Sequence, residues 1–525
     1  MRDSTGRWSS YSNAGTLRKT AAPAAADTKK EAKSDGTFTF ALNYMPNSLQ
    51  PSAQSSDDLV SAIRPIYEPL FAETKDGLEY YLADKLDISE DGLTYTLHIN
   101  DKATWSDGEP VTVKDIKFTI DYGVLVYGGP TSFTKVNGGE VQINEIDDKT
   151  MEFVLPSVYD NYVRTLSQFY PMPAHAFDND PSKINDSTYF KTPGMATSGA
   201  YVVSEINEDS FVYTARDDYY RGTPSVKKVV IKTIGSGSTK QIEFENGGID
   251  YMRVTSAEDL KKYKEESDKY NMYSISEARL NYLQLNPHGP VMSTLSQDAR
   301  KAIFLALDKD AIVDFAWGSD ELAEPANSLI TPDQSIYNKD CKGYNFNLEE
   351  AKKLAKSSGL EGKELTYIYN SDRANMEAVA TVVQQQLAEI GVTVNIESCD
   401  TSTFFPRFFA SKDKELATTW DLGTNGWDSQ RGSNCGQAIS YFTNRLCDCG
   451  YSDEVSGLAQ KAIGTADAKE KQELWNTIQD KALEECWEYP LTYTNFVMVS
   501  QKNVTGLDGS SVVPEFIDYL SIHVD

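Results

Sequence analysis

Histidine is scarce in this chain, and cysteine is missing from its first half. Among 525 residues there are only His98, His175, His288 and His523, and the first cysteine is Cys341. A catalytic system built on histidine is disfavoured by that scatter, and His98, alternating with Leu97 and Ile99, reads as a strand residue. The chain also lacks a Gly-x-Ser-x-Gly elbow, a His-Glu-x-x-His pair, a phosphate-cradling glycine loop and a dinucleotide fingerprint on a strand-helix turn. No apolar run approaches the ~18 residues of a membrane span, and no charged-then-apolar signal segment opens the sequence. Positive charge is in deficit: 50 basic against 78 acidic residues give a net charge of -28, which argues against nucleic acid or an anionic membrane as partner. Those acidic residues make some close carboxylate pair inevitable, so a secreted carboxylate-dependent hydrolase stays only as a remote alternative.

The length suggests roughly three domains. Residues 1–35, rich in Ser, Thr, Ala and Lys, cannot bury enough apolar area to fold and read as a flexible tail. Phe38 to Leu42 reads as a strand running into a loop at Asn43-Tyr44-Met45-Pro46, and Leu59 to Phe71 as a helix disturbed by Pro65 and Pro69. The runs around Glu90-Asp91-Gly92 and Ser106-Asp107-Gly108 have hairpin grammar. Ser296 is suited to cap a helix with an apolar face through Ala299, Ile303, Ala306 and Leu307; Asn347 caps another, with Gly359 just past its end. Leu365 to Tyr369, Ala374 to Ile390 and Val392 to Glu397 form a strand-helix-strand unit whose strands should be parallel.

Six cysteines, at 341, 399, 435, 447, 449 and 486, permit disulfides if the protein is exported. Cys435 with Cys447 or Cys449 is the foremost pairing, but connectivity stays open. A zinc site at Cys447-Asp448-Cys449 lacks a second paired motif and a nearby histidine, so no metal and no cofactor are expected.

The ordered string Trp105-Ser106-Asp107-Gly108-Glu109-Pro110-Val111-Thr112, leading into Asp115 and Phe118, resembles the hallmark segment of the extracellular solute-binding proteins of family 5, which serve oligopeptide- and dipeptide-type ABC importers. Gly194 to Tyr220 and the string from Leu280 to Asn286 extend the resemblance, which covers nearly everything beyond residue 36. It implies an α/β fold of the type II (cluster C) periplasmic-binding-protein class, with two lobes, an inserted extra domain and a ligand cleft between the lobes. The implied division is a first, discontinuous domain of 36–71, 195–282 and 495–525, an inserted second domain of 72–194, and a third domain of 283–494. It also implies a monomeric, non-enzymatic receptor that delivers its ligand to ABC permease subunits. The expected location is the outer face of the membrane, held by a lipid anchor this sequence lacks, or the periplasm.

In relatives, the segment matching Trp420 to Phe442 is an exposed strand edge with a Gly-Trp pair and an acidic residue after it. That edge pairs with the backbone of an extended peptide, and the acid meets the α-ammonium. Here Asn425, Gly426 and Trp427 match the strand, but the usual acidic position holds Gln430 and Asp428 follows the tryptophan directly, a displacement of about 7 Å along a strand. An oligosaccharide ligand, which needs no charge clamp, is therefore the alternative to a peptide. Trp427 is open to a second reading as a core or interface aromatic, whereas Trp105 is read as structural. Asn43, Tyr44, Tyr282, Asn286 and Tyr493 fall on strings that face the cleft in relatives.

Overall fold

The computed structural model describes residues 36–53, 57–74, 77–129, 131–159, 162–167, 169–235, 237–410, 415–428, 442–443, 449–508 and 518–525. The expected tail of residues 1–35, Gln430, Cys435 and Cys447 lie outside these residues, so the disulfide expectation does too. Among the described cysteines, Cys341, Cys399 and Cys486 are buried free thiols.

Alternation decides the first sheet. Phe38, Phe40 and Leu42 are buried from strand Thr37–Leu42, which pairs in parallel with Lys228–Thr233; Ser210–Ala215 and Tyr201–Ile206 continue the sheet antiparallel. The helix expected from Leu59 to Phe71 is shorter, Asp57–Ile63, and a strand Phe71–Thr74 begins where the helix was to end. Pro65 disfavours helical backbone at the residue before it and Pro69 removes another donor, which accounts for the early stop.

Within residues 72–194 a second sheet runs Ala83–Ile88, Thr94–Ile99, Thr150–Val154, Gln142–Glu145, all antiparallel. The hallmark string has a structural purpose here. The buried Asp115 carboxylate accepts from Thr112 N (2.8 Å), Ala174 N (2.9 Å) and Trp105 Nε1 (3.3 Å), holding the fully buried Trp105 against the start of helix Val113–Tyr127. One continuous apolar core, including Leu97, Trp105, Tyr201 and Val229, joins this sheet to the first.

The third sheet has seven strands. Along it lie Tyr251–Val254, Glu488–Gln501, Tyr270–Leu285, Leu422–Asp428, Glu364–Asn370 and Thr393–Cys399, with Ala323–Pro325 beside Glu488–Gln501. Glu364–Asn370 and Thr393–Cys399 are parallel and joined through helix Met376–Ala388, as the apolar periodicity predicts. Ser296 accepts from Ala299 N, Asn347 from Glu350 N, and Gly359 closes its helix in the left-handed conformation, so both expected caps are present. The two faces of the sheet bury separate cores. Leu283, Leu285, Tyr367 and Leu422 belong to one; Leu280, Tyr282, Ile368 and Trp427 belong to the other.

The long strands Tyr270–Leu285 and Glu488–Gln501 pair antiparallel and run through the positions 282–283 and 494–495. Their ladder shifts register between Ser276 and Arg279, where Ala278 takes a positive φ of 47°. Left-handed backbone is costly for alanine, and the shift admits extra residues into one strand at that point.

Candidate functional site

A cavity of about 990 Å³ lies where the loop after the first strand, the middle of the long strands and the turn after Glu364–Asn370 converge. Four acids line it, Asp58, Asp259, Glu277 and Asp372, and four cations, Lys240, Arg253, Arg279 and Arg373. The acidic excess of the chain therefore stops at the cavity, which offers both signs of charge to a ligand.

Each part is held by identifiable contacts. Strand Thr37–Leu42 ends at Asn43, whose backbone N donates to Asp58 Oδ1 (2.8 Å), while Lys240 Nζ donates to Asn43 Oδ1 (2.7 Å). Burial lowers the Lys240 ammonium below an ordinary lysine, with Asp58 opposing the shift. Across the cavity the shifted ladder turns Glu277 inward, where its Oε2 accepts from Arg253 Nη2 (2.8 Å) and Thr494 Oγ1 (2.7 Å). Burial works against the Glu277 charge, but the Arg253 and Arg279 guanidiniums outweigh it and hold the carboxyl below its usual range. Arg253 also lies over the Phe496 ring, 4.5 Å from its centroid. Arg373 follows the carboxyl end of Glu364–Asn370, the position at which open α/β sheets present loops to ligands, and sits 5.7 Å from the Phe405 ring centroid.

Gly426 faces this side. A Cβ there would stand 2.6 Å from both Arg279 Nη2 and Asn281 Oδ1, so a side chain could not share the space with them. The register sets the backbone of Asp428 opposite Arg279, Trp427 opposite Leu280 and Asn425 opposite Tyr282. Pairing of Leu422–Asp428 with its other neighbour, Glu364–Asn370, covers Leu422–Thr424, and the two strands then part.

Of the residues expected at the site, Asn43 lines the cavity, and the backbone of Gly426 adjoins its Arg279 and Asn281 wall. Tyr44 is 51% exposed and is not part of the lining. Tyr282, Trp427 and Tyr493 are buried together in the core on the opposite face, because alternation along each strand sends them away from the cavity. The Tyr493 hydroxyl is engaged within that core: Ser328 N donates to it (3.0 Å), and Ser328 O (2.9 Å) and Asn327 Oδ1 (3.1 Å) lie within reach. Asn286 has a structural partner set, its Nδ2 donating to Ala417 O (2.8 Å) and Trp420 O (2.7 Å), which ties down the loop before Leu422–Asp428. Asn425 is buried, and its Oδ1 accepts no hydrogen bond among the described residues. The side chains of Asp428 and Gln430 lie outside the described residues.

Arg253, Glu277, Arg279 and Arg373 were missed in the sequence. Two signals were available: opposite charges two residues apart, Glu277 and Arg279, interrupt a strand-like run, and Arg373 sits in the turn after the first strand of a strand-helix-strand unit.

Comparison with known proteins agrees with this architecture. A model of the middle part of the bacterial extracellular solute-binding proteins, family 5, matches residues 77–445. A protein of Escherichia coli (strain K12) named "Probable D,D-dipeptide-binding periplasmic protein DdpA" is 22% identical over 480 residues, 88% of this chain and 89% of its own length. The dipeptide-binding protein of the same organism is 23% identical over 484 residues, 84% of this chain and 86% of its own. The crystal structure of the ABC transporter substrate-binding protein CtaP of Listeria monocytogenes superposes with a TM-score of 0.83 at 27% identity, covering 93% of this chain and 99% of that one.

Proposed function

Because this chain belongs to the bacterial extracellular solute-binding proteins of family 5, we propose that it is the receptor of an ABC importer that captures a peptide between its lobes and hands it to a membrane permease. The fold is that of the type II periplasmic binding proteins, and the relatives are substrate-binding components of ABC transporters, a class outside cells or in the periplasm. Among the described residues no helix is long and apolar enough to cross a membrane.

The observation that carries the peptide reading is the mixed charge of the cavity. A peptide is zwitterionic, and a lining that holds four acids and four cations suits both of its ends, whereas a sugar site needs stacked rings and no such charges. Beyond the end of the Leu422–Thr424 ladder, the Asn425 and Gly426 backbone is where a peptide would add as a further strand, a mode that tolerates many side chains. In this reading 36–71, 195–282 and 495–525 make one lobe, 72–194 its insertion and 283–494 the second lobe, joined by the two long strands. The protein is read as a monomer, lipid-anchored on the outer face in its native setting or periplasmic.

Native mass spectrometry of protein purified without refolding gives the mass of a carried-over ligand. Calorimetry then tests the ammonium clamp with free and N-acetylated peptides on the unmodified chain and on Asp428→Asn. A direct pair predicts a loss of about 2–5 kcal/mol from either change and little further loss from both. A carried-over hexose oligomer, with affinity indifferent to acetylation, would replace the peptide by the oligosaccharide.

A further inference from the structure

We infer that Glu488 carries a proton in mildly acidic solution and loses it as pH rises past neutrality, which makes the base of the second lobe a pH-sensitive switch. Glu488 opens the strand Glu488–Gln501, at the far end from the cavity, and only 4% of it is exposed. Its Oε2 accepts from the Tyr451 hydroxyl at 2.6 Å. Directly across the ladder stands Gln284, 2% exposed, whose Nε2 donates to Leu285 O (3.2 Å) and whose buried Oε1 has no donor among the described residues.

Two acceptor-bearing side chains are thus cross-strand neighbours, and among the described residues no donor reaches Gln284 Oε1. A proton on the second Glu488 oxygen supplies the missing donor, so protonation satisfies both residues. An ionised carboxylate would leave a buried charge facing a carbonyl oxygen, which is expensive.

Among the described residues the surroundings supply no countercharge. Cys449 and Tyr451 come from the preceding segment, and Gln284 is the neighbour on the long strand. The Glu485 carboxylate, at the end of helix Ala468–Glu485, accepts from Ser452 N (2.9 Å) and Ser452 Oγ (2.5 Å). Arg300 donates to the Glu485 carbonyl (3.1 and 3.3 Å) and lies over the Trp487 ring at 3.6 Å. Among the described residues no Lys, Arg or His forms an ion pair with Glu488. Burial pushes its carboxyl up to about 7, the Tyr451 hydrogen bond only partly offsetting the rise.

The switch has a mechanical outlet. Tyr451 and Ser452 lead into helix Asp453–Ile463, where Ser452 accepts from Val455 N. Gln460 of this helix meets Lys135 and Tyr159 of the first lobe around a second cavity of about 400 Å³. Loosening Tyr451 therefore acts at the root of a helix that reaches the other lobe.

A carboxyl whose folded value is raised binds its extra proton between about pH 4.3, the unfolded value, and about 7. Stability is therefore lost as pH rises through that window. Infrared spectroscopy of the full chain should show a buried carboxylic-acid band at about pH 6 that is lost at about pH 8.5 and is absent from Glu488→Gln. Glu488→Gln keeps an acceptor for Tyr451 and adds a donor for Gln284, so its thermal midpoint should fall a few degrees less than that of the unmodified chain from about pH 5 to 8.5. Absence of the band at pH 6 from the unmodified chain, or parallel midpoint curves for the two proteins, would overturn the inference. Because these readouts need no ligand, they stand or fall apart from the peptide reading.

Discussion

The two faces of the seven-stranded sheet are built from the same strands and each buries a core, yet they differ where the long strands pass the cavity. On one face Tyr282, Trp427 and Tyr493 pack into a core with Phe408, Trp420 and Trp475. On the other, Glu277, Arg279 and Asn281 look across Gly426 into a charged cavity. A shift of one residue along any strand would exchange the two sets. Large aromatic side chains are thus poor guides to a ligand here, because rings that resemble ligand contacts in a string also satisfy a core. The charged residues, which a core rejects unless paired, are the better guide.

The strongest challenge to this contrast is Trp427→Ala. A packing role predicts a loss of about 3–5 kcal/mol in urea unfolding, with the affinity of the folded variant for a tripeptide changed by less than about threefold. A tenfold affinity loss at unchanged stability would move the site to the aromatic face.

Gly426→Val comes next. The new side chain must occupy the space of the Arg279 guanidinium and Asn281, so tripeptide affinity should fall about 10- to 100-fold, or about 1.4–2.8 kcal/mol. Calorimetry that finds the affinity unaltered would detach this strand from the ligand.

Glu277→Gln removes the carboxylate shared by Arg253 and Arg279. The side chain of Arg253 is 40% exposed, and water screens it, so the loss should be about 1–2 kcal/mol rather than that of a fully buried pair. With its carboxyl held low in the fold, Glu277 contributes stability above the ordinary glutamate range that is lost as pH falls through the folded value. The acid limb of unfolding should accordingly flatten in the variant. An unchanged acid limb would show that the pair contributes nothing. Smallest is Tyr493→Phe, which deletes the hydroxyl that Ser328 N donates to, for about 1 kcal/mol in chemical denaturation and no change in ligand affinity.

Local chemistry was sufficient for elements whose causes are local. The caps at Ser296 and Asn347, the left-handed close at Gly359, the strand-helix-strand unit around Met376–Ala388 and the hairpins of the second sheet all follow from residues a few positions apart. The ordered string through Trp105 and Asp115 also marked the family, because its residues are bound to one another by the contacts that hold helix Val113–Tyr127 in place.

The site was less legible. Asn43 and Gly426 were in view, but the assignment of a face to Tyr282, Trp427 and Tyr493 depends on which strands flank them and where the ladder shifts. Those are pairings between residues up to about two hundred positions apart, such as Leu280 with Tyr493. The inward turn of Glu277 depends on the left-handed backbone at Ala278, which no alanine announces in a sequence. Composition set the chain's charge at -28, yet only the tertiary structure decided that four of its cations would gather with four acids around one cavity. Backbone propensity and alternation act over a few residues and are written in order along the chain. Charge pairing and face selection act through space, between segments that meet only after the sheet has formed.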